Sequence, residues 1–226
     1  MGAKPELIFC ADGNPAASAL AVAIGYRYGA RLPATVYQPV WFADQEWKRP
    51  NRVKYMNSLS IHRPEMATVL DWEHDDQFHE VISWAEEAAA HANQVVIIPK
   101  IPGTIPRIPH KIGGARVVIG YSVPTRYGST SIPLWELSGR PVHLLGGSPQ
   151  KQIEIWRYLS VNSNVVSADG NMSLKMANTR CCYWVRHSLS PWGHWQPISR
   201  EVETDAPIEC LKRSLVNIFD TWSATK

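Results

Sequence analysis

Short, unbroken apolar runs recur along this chain and are separated by helical patterns, and that alternation limits the fold more than any other feature. Six such runs stand out: Glu6 to Cys10, Met66 to Leu70, Val95 to Pro99, Arg116 to Ile119, Val142 to Leu145 and Asn164 to Ala168. Continuous rather than alternating apolarity suits strands buried on both faces, and strands interleaved with helices argue for βα units and a parallel sheet. Phe78, Val81, Ile82, Ala85, Ala88, Ala89 and Ala92 trace one helical face, and Ile153, Trp156 and Ser160 trace a weaker one after Pro149. Asn14-Pro15 opens a further helix, apolar all round from Ala16 to Ile24 and therefore expected to be buried. Ile208, Leu211, Leu215, Ile218 and Trp222 repeat every three or four residues and read as a closing C-terminal helix. Two stretches resist the pattern, Arg31 to Pro64 and Cys181 to Pro207, both rich in Trp and Pro, and both read as long functional loops or insertions. Nothing marks a domain boundary, so residues 1–226 are read as one α/β domain.

No apolar stretch approaches the roughly 18 residues a membrane span needs, and no signal-peptide core follows Met1. The four cysteines lack a spaced framework, so a cytoplasmic protein is expected, with no membrane partner. A net charge of +3 permits a nucleic-acid partner without demanding one. Cys181, Cys182, His187 and His194 could supply zinc ligands, but the spacing is wrong for a structural zinc, and neither metal nor cofactor is expected. No G-x-S-x-G elbow and no H-E-x-x-H occurs, which removes those hydrolase classes.

The residues after the strands carry the chemistry, because parallel barrels and sheets build their sites there. Cys10 is followed by Asp12, Leu70 by Asp71, Pro99 by Lys100, Ile119 by Gly120 and Tyr121, Leu145 by Gly146 and Gly147, and Ala168 by Asp169, Gly170 and Asn171. Carboxylates can accept the N–H groups of a nucleobase or act as nucleophile or base, and glycines let a planar ligand approach the backbone. Structural uses stand beside these: Asp12 and Asp71 as helix caps, Gly146-Gly147-Ser148-Pro149 as a turn entering a helix, Lys100 as a solvated charge, His143 as a core histidine. Arg180, Trp184, Arg186, Trp192 and Trp195 form the best aromatic and basic stretch for a nucleic-acid surface, or else loop-packing aromatics with solvated charges.

Lined up in order, these strand ends resemble the tRNA-guanine transglycosylase superfamily, especially its phage and bacterial DNA-modifying relatives, the DNA-guanine transglycosylases. Val117-Val118-Ile119-Gly120-Tyr121-Ser122-Val123 looks like the family's glycine-bearing base-binding segment, and His143-Leu144-Leu145-Gly146 looks like its H-x-L-G strand end. Asp169 then stands in the place of the nucleophilic aspartate. The likeness spans roughly residues 95 to 180 of the chain. It implies a (β/α)8 TIM-barrel-like fold with a C-terminal helix and a pentosyltransferase that exchanges guanine in DNA for a free 7-deazaguanine such as 7-cyano-7-deazaguanine. Asp169 and Asp12 would be catalytic, and Asp71, Lys100, Gly120, Tyr121, His143, Gly146, Gly147 and Asn171 would bind substrate. A homodimer is left open, as is a host-cell cytoplasm for a phage-encoded protein. Two departures stand against it. The C-x-C-x2-C zinc pattern of the tRNA enzymes is missing, and six of eight strands are evident, which leaves room for a trimmed barrel with the other two in the Arg31 to Pro64 and Cys181 to Pro207 regions. A base-releasing glycosidase of the same fold and a non-catalytic nucleic-acid-binding barrel are the rival functions.

Overall fold

The computed structural model describes residues 4–11, 13–125, 130–187, 190–198 and 206–224. All six apolar runs are strands: β1 (Glu6–Cys10), β4 (Met66–Trp72), β5 (Gln94–Pro99), β7 (Ala115–Ser122), β8 (Pro141–Leu145) and β9 (Asn164–Gly170). Both remaining barrel strands lie near or in the first difficult stretch, β2 (Arg27–Leu32) starting just ahead of it and β3 (Phe42–Gln45) inside it. The order β1-β2-β3-β4-β5-β7-β8-β9 is parallel throughout, and β9 pairs with β1, so eight strands close into a barrel. A short β6 (Lys111–Ile112) turns back antiparallel onto β7.

The expectation of a barrel strand within Cys181 to Pro207 is corrected. That stretch instead makes an antiparallel hairpin, β10 (Cys182–His187) with β11 (Ser190–Pro197), outside the barrel. The C-terminal helix α6 (Ala206–Ala224) packs on this hairpin, with the Ser214 hydroxyl accepting the Trp184 N–H and Asn217 donating to the Trp184 carbonyl. Trp222 of α6 stacks on Trp156 at 4.6 Å, tying the chain's end to the barrel wall.

Around the barrel run α1 (Pro15–Ile24), α2 (Arg52–His62), α3 (Phe78–Ala89), α4 (Pro149–Leu159) and α5 (Met172–Arg180). Asn14 caps α1 by accepting the Ala17 N–H, as the Asn-Pro start suggested. The expectation that α1 is buried all round is corrected: only Ala17, Ser18 and Ala21 are buried, and Val22 faces solvent. A helix on the outside of a barrel has one face against the wall and small alanines can occupy either side. Among the described residues, no α-helix links β2 to β3, β5 to β7 or β7 to β8; 3-10 turns at Ile105–Arg107 and Leu134–Leu137 lie in the last two crossovers. Inside the barrel, Ile8, Phe42, Met66, Val96, Ile98 and Val118 form a compact apolar cluster, separate from the larger core between strands and helices. Among the described residues, no helix is long and apolar enough to cross a membrane.

Candidate active site

Above that apolar plug the barrel interior turns polar, and its charged residues come from strand ends. Asp169 lies one residue before the end of β9, paired with Ile8, and its side chain is 14% exposed. One carboxylate oxygen, Oδ1, accepts the Gly146 N–H at 3.0 Å and faces His143 Nε2 at 3.4 Å. His143 is fully buried on β8, packed against Phe42, with Nδ1 2.7 Å from the Ser167 hydroxyl. The histidine is therefore both a core residue and a direct neighbour of the carboxylate. Gly146 and Gly147 both have positive φ, and a Cβ on Gly147 would fall 2.3 Å from Val123, so the double glycine is required by the turn and by packing. Ser148 caps α4 by accepting the Lys151 N–H, and Gln152 from that helix donates to the Gly146 and Asp169 carbonyls.

Asp44, on β3, is the acid that sequence reading missed. Thr68 donates to its Oδ1 at 2.9 Å, and burial with the charges of Asp169 and Asp71 pushes its carboxyl up to about 7. Asp44 and Asp169 line one cleft of about 980 Å³. The signal for Asp44 was a four-residue strand that breaks off in Asp-Gln-Glu, too short and too polar to separate from the surrounding aromatic loop.

Asp71 sits within β4 rather than after it. The pairing of β4 with β5 shifts between Thr68 and Asp71, and such a bulge re-aims side chains near a strand's end. Asp71 does not cap α3, where His74 and Gln77 make the capping box of the preceding turn. It pairs with Lys100 Nζ at 3.3 Å, and Lys100 also donates a short hydrogen bond to Ser122. Burial raises the Asp71 carboxyl and the Lys100 charge opposes that rise. Lys100 is thus a partnered, half-buried cation and not a solvated charge.

Asp71, Lys100, His143, Gly120 and Tyr121 are not among the residues that line the cleft, and the last two serve packing. Gly120 faces the interior, but a Cβ there would come within 2.7–3.0 Å of Ile98, Val96 and Leu145, so its missing side chain is filled by neighbouring apolar ones. Tyr121 is buried among the outer core residues and turns away from the mouth, as alternation next to inward Gly120 requires. Asp12 lies outside the described residues. Asn171 is exposed at the start of α5 and lines the cleft.

The rim is aromatic and basic. Arg31, Lys175 and Arg180 line the cleft together with Trp195 from the hairpin and Trp47 from the loop after β3, which is 59% exposed. Trp184 is a correction: at 1% exposure it is core, held by α6 and covered by Gly193, and cannot form a surface. Trp184 pairs directly with Trp195 across the hairpin, so the two rings share one face of it, Trp184 buried and Trp195 reaching the cleft. Arg186 is exposed on β10 but does not line the cleft, and the Trp192 side chain lies outside the described residues. None of the cysteines is in a disulfide, and among the described residues no group of three His, Cys, Asp or Glu is placed to hold a metal ion.

One family model matches residues 17–223, that of a family of unknown function (DUF6610). No curated protein and no solved structure matches the chain.

Proposed function

Because the chain belongs to this family of unknown function, membership brings no activity with it, and we propose, from the mouth together with the resemblance of its strand ends to the guanine transglycosylases, that the protein exchanges guanine in DNA for a free 7-deazaguanine base, such as 7-cyano-7-deazaguanine. The observation that carries this reading is the pairing of two unlike carboxyls in one cleft. Asp44 titrates near neutral pH, and Asp169 is the negative charge that Asp44 feels. Sites that use one carboxyl as a proton donor and another as a nucleophile separate them in this way.

In the first half-reaction an Asp169 oxygen bonds to C1′ of the deoxyguanosine as the C1′–N9 bond breaks. The electron pair goes to N9, which takes the Asp44 proton, and neutral guanine leaves. In the second half, Asp44, now a carboxylate, takes the N9 proton of the incoming base. That nitrogen attacks C1′, and the C1′–oxygen electron pair returns to Asp169. Both steps pass through positive charge at the sugar, which the Asp169 carboxylate stabilises. The target nucleotide has to leave the stack, and Trp47 and Trp195 offer aromatic faces at the entrance while Arg31, Lys175 and Arg180 suit a phosphate backbone.

The test is incubation with guanine-containing DNA and labelled 7-cyano-7-deazaguanine, followed by nucleoside mass spectrometry. Label entering DNA supports exchange. Guanine release without incorporation identifies a water-resolved glycosidase, and DNA binding alone an idle barrel. Asp169→Asn keeps an oxygen for the Gly146 N–H and should fold with an unchanged melting temperature, yet lose exchange by several powers of ten. Near-normal exchange by Asp169→Asn would move the nucleophile elsewhere.

A further inference from the structure

Beside the mouth lies a second pocket, of about 370 Å³, that shares Arg31 with the cleft. Successive residues of β3 point to opposite faces, so Asp44 enters the mouth while Gln45 turns toward this outer pocket. Arg49 and Lys54 also line it, and among the described residues neither has an ion-pair partner, whereas the one carboxylate present, Glu46, is engaged by Arg31 at 3.2 Å and by the Lys48 N–H. The N-terminus of α2 opens onto the same space. Asn51 satisfies the Lys54 N–H, and the N–H groups of Arg52 and Val53 stand ahead of the first helical acceptor.

Gln45 is the independent sign that something is missing here. It is 2% exposed, lines the pocket, and its amide oxygen has no hydrogen-bond partner among the described residues. Leaving a buried amide oxygen unpaired is costly, and the other end of the same amide carries the two N–H donors that an anion can use. Beyond the Arg31–Glu46 pair, the two cations Arg49 and Lys54, a helix N-terminus and a buried amide make an anion site, and its position one arginine away from the nucleotide cleft selects the anion.

We propose that this pocket holds one phosphodiester of the same strand whose nucleotide occupies the mouth, so that Arg31 bridges the reacting nucleotide and its neighbour. The inference rests on the nucleic-acid reading above but not on base exchange itself. The probe is a short single-stranded oligodeoxynucleotide, with a series of copies each carrying one uncharged methylphosphonate. Compared with the wild type, Arg49→Ala/Lys54→Ala should flatten the dependence of log affinity on log salt by about 0.7, the value of one single-strand phosphate contact. One methylphosphonate position should weaken binding to the wild type and leave binding to the double variant unchanged. That result, with exchange absent, keeps the subsite and discards the transglycosylase reading. An unchanged salt slope with no coupled position, or no oligonucleotide binding by the wild type, overturns the subsite whatever exchange is seen.

Discussion

Burial and two neighbouring aspartates give Asp44 a carboxyl that titrates at about 7 instead of its ordinary 3.8, and this has a signed consequence for stability. The folded state holds this proton more tightly than the unfolded chain. The resulting stabilisation is fully present below about 3.8 and is lost as pH rises through about 7. Within that window the difference in unfolding free energy between the wild type and Asp44→Asn should fall with pH by about 1.4 kcal/mol per unit, read from urea melts at several pH values. A flat difference would show that the carboxyl is not held protonated. The same residue ties stability to turnover. In the proposed exchange Asp44 is the proton donor to departing guanine, so activity on DNA should decline above pH of about 7, and Asn at this position cannot supply the proton. Beneath Asp169, the Ser167 hydroxyl has one proton and two acceptors within reach, His143 Nδ1 and Met66 Sδ. Donation to Nδ1 puts the imidazole proton on Nε2, facing the Asp169 carboxylate, so one hydroxyl rotor selects which tautomer the site meets.

At the level of elements, continuous apolar runs were legible because strands covered on both faces cannot hide their composition, and Asp71, Lys100 and Asp169 were legible with them because they follow such runs. β2 and β3 were not, since Arg27-Tyr28-Gly29-Ala30-Arg31-Leu32 and Phe42-Ala43-Asp44-Gln45 mix charge with small residues, and of these Arg31 and Asp44 line the mouth. The polar residues in those strands broke up their strand signature, and Asp44 went unseen along with β3. Gly120, Tyr121 and Trp184 mark the opposite failure, where residue type suggested a ligand role but the side-chain direction, fixed by alternation and hairpin register, assigned them to packing. The hairpin offers a direct check. Gly193 has positive φ, and a Cβ there would stand 2.2 Å from the buried Trp184 ring and 2.7 Å from the Val185 carbonyl. Gly193→Ala should therefore loosen β10–β11 by about 1–3 kcal/mol and speed amide hydrogen exchange across residues 182–197. Because Trp195 reaches the cleft from this hairpin, the DNA binding proposed above should weaken together with that protection. Intact protection in the variant would show that the ring can move aside.

For the whole molecule, eight strands close a barrel whose helical cover is incomplete, while the hairpin and α6 thicken the wall on the side of α5 and α1. Polar chemistry is confined to one end of the barrel. The interior below is filled by Ile8, Phe42, Met66, Val96, Ile98 and Val118, none more than 4% exposed. That plug leaves the mouth as a dead-end street: whatever enters between Asp44 and Asp169 has to back out the same way. In the proposed exchange the departing guanine and the incoming base share this one entrance and the one position at Asp169, so the first would leave before the second takes its place. Initial rates measured against DNA at several fixed concentrations of incoming base should give parallel double-reciprocal lines, with free guanine competing against that base for the DNA-loaded enzyme. Intersecting lines would mean that both bases are present together, and hence that a second passage opens somewhere in the wall.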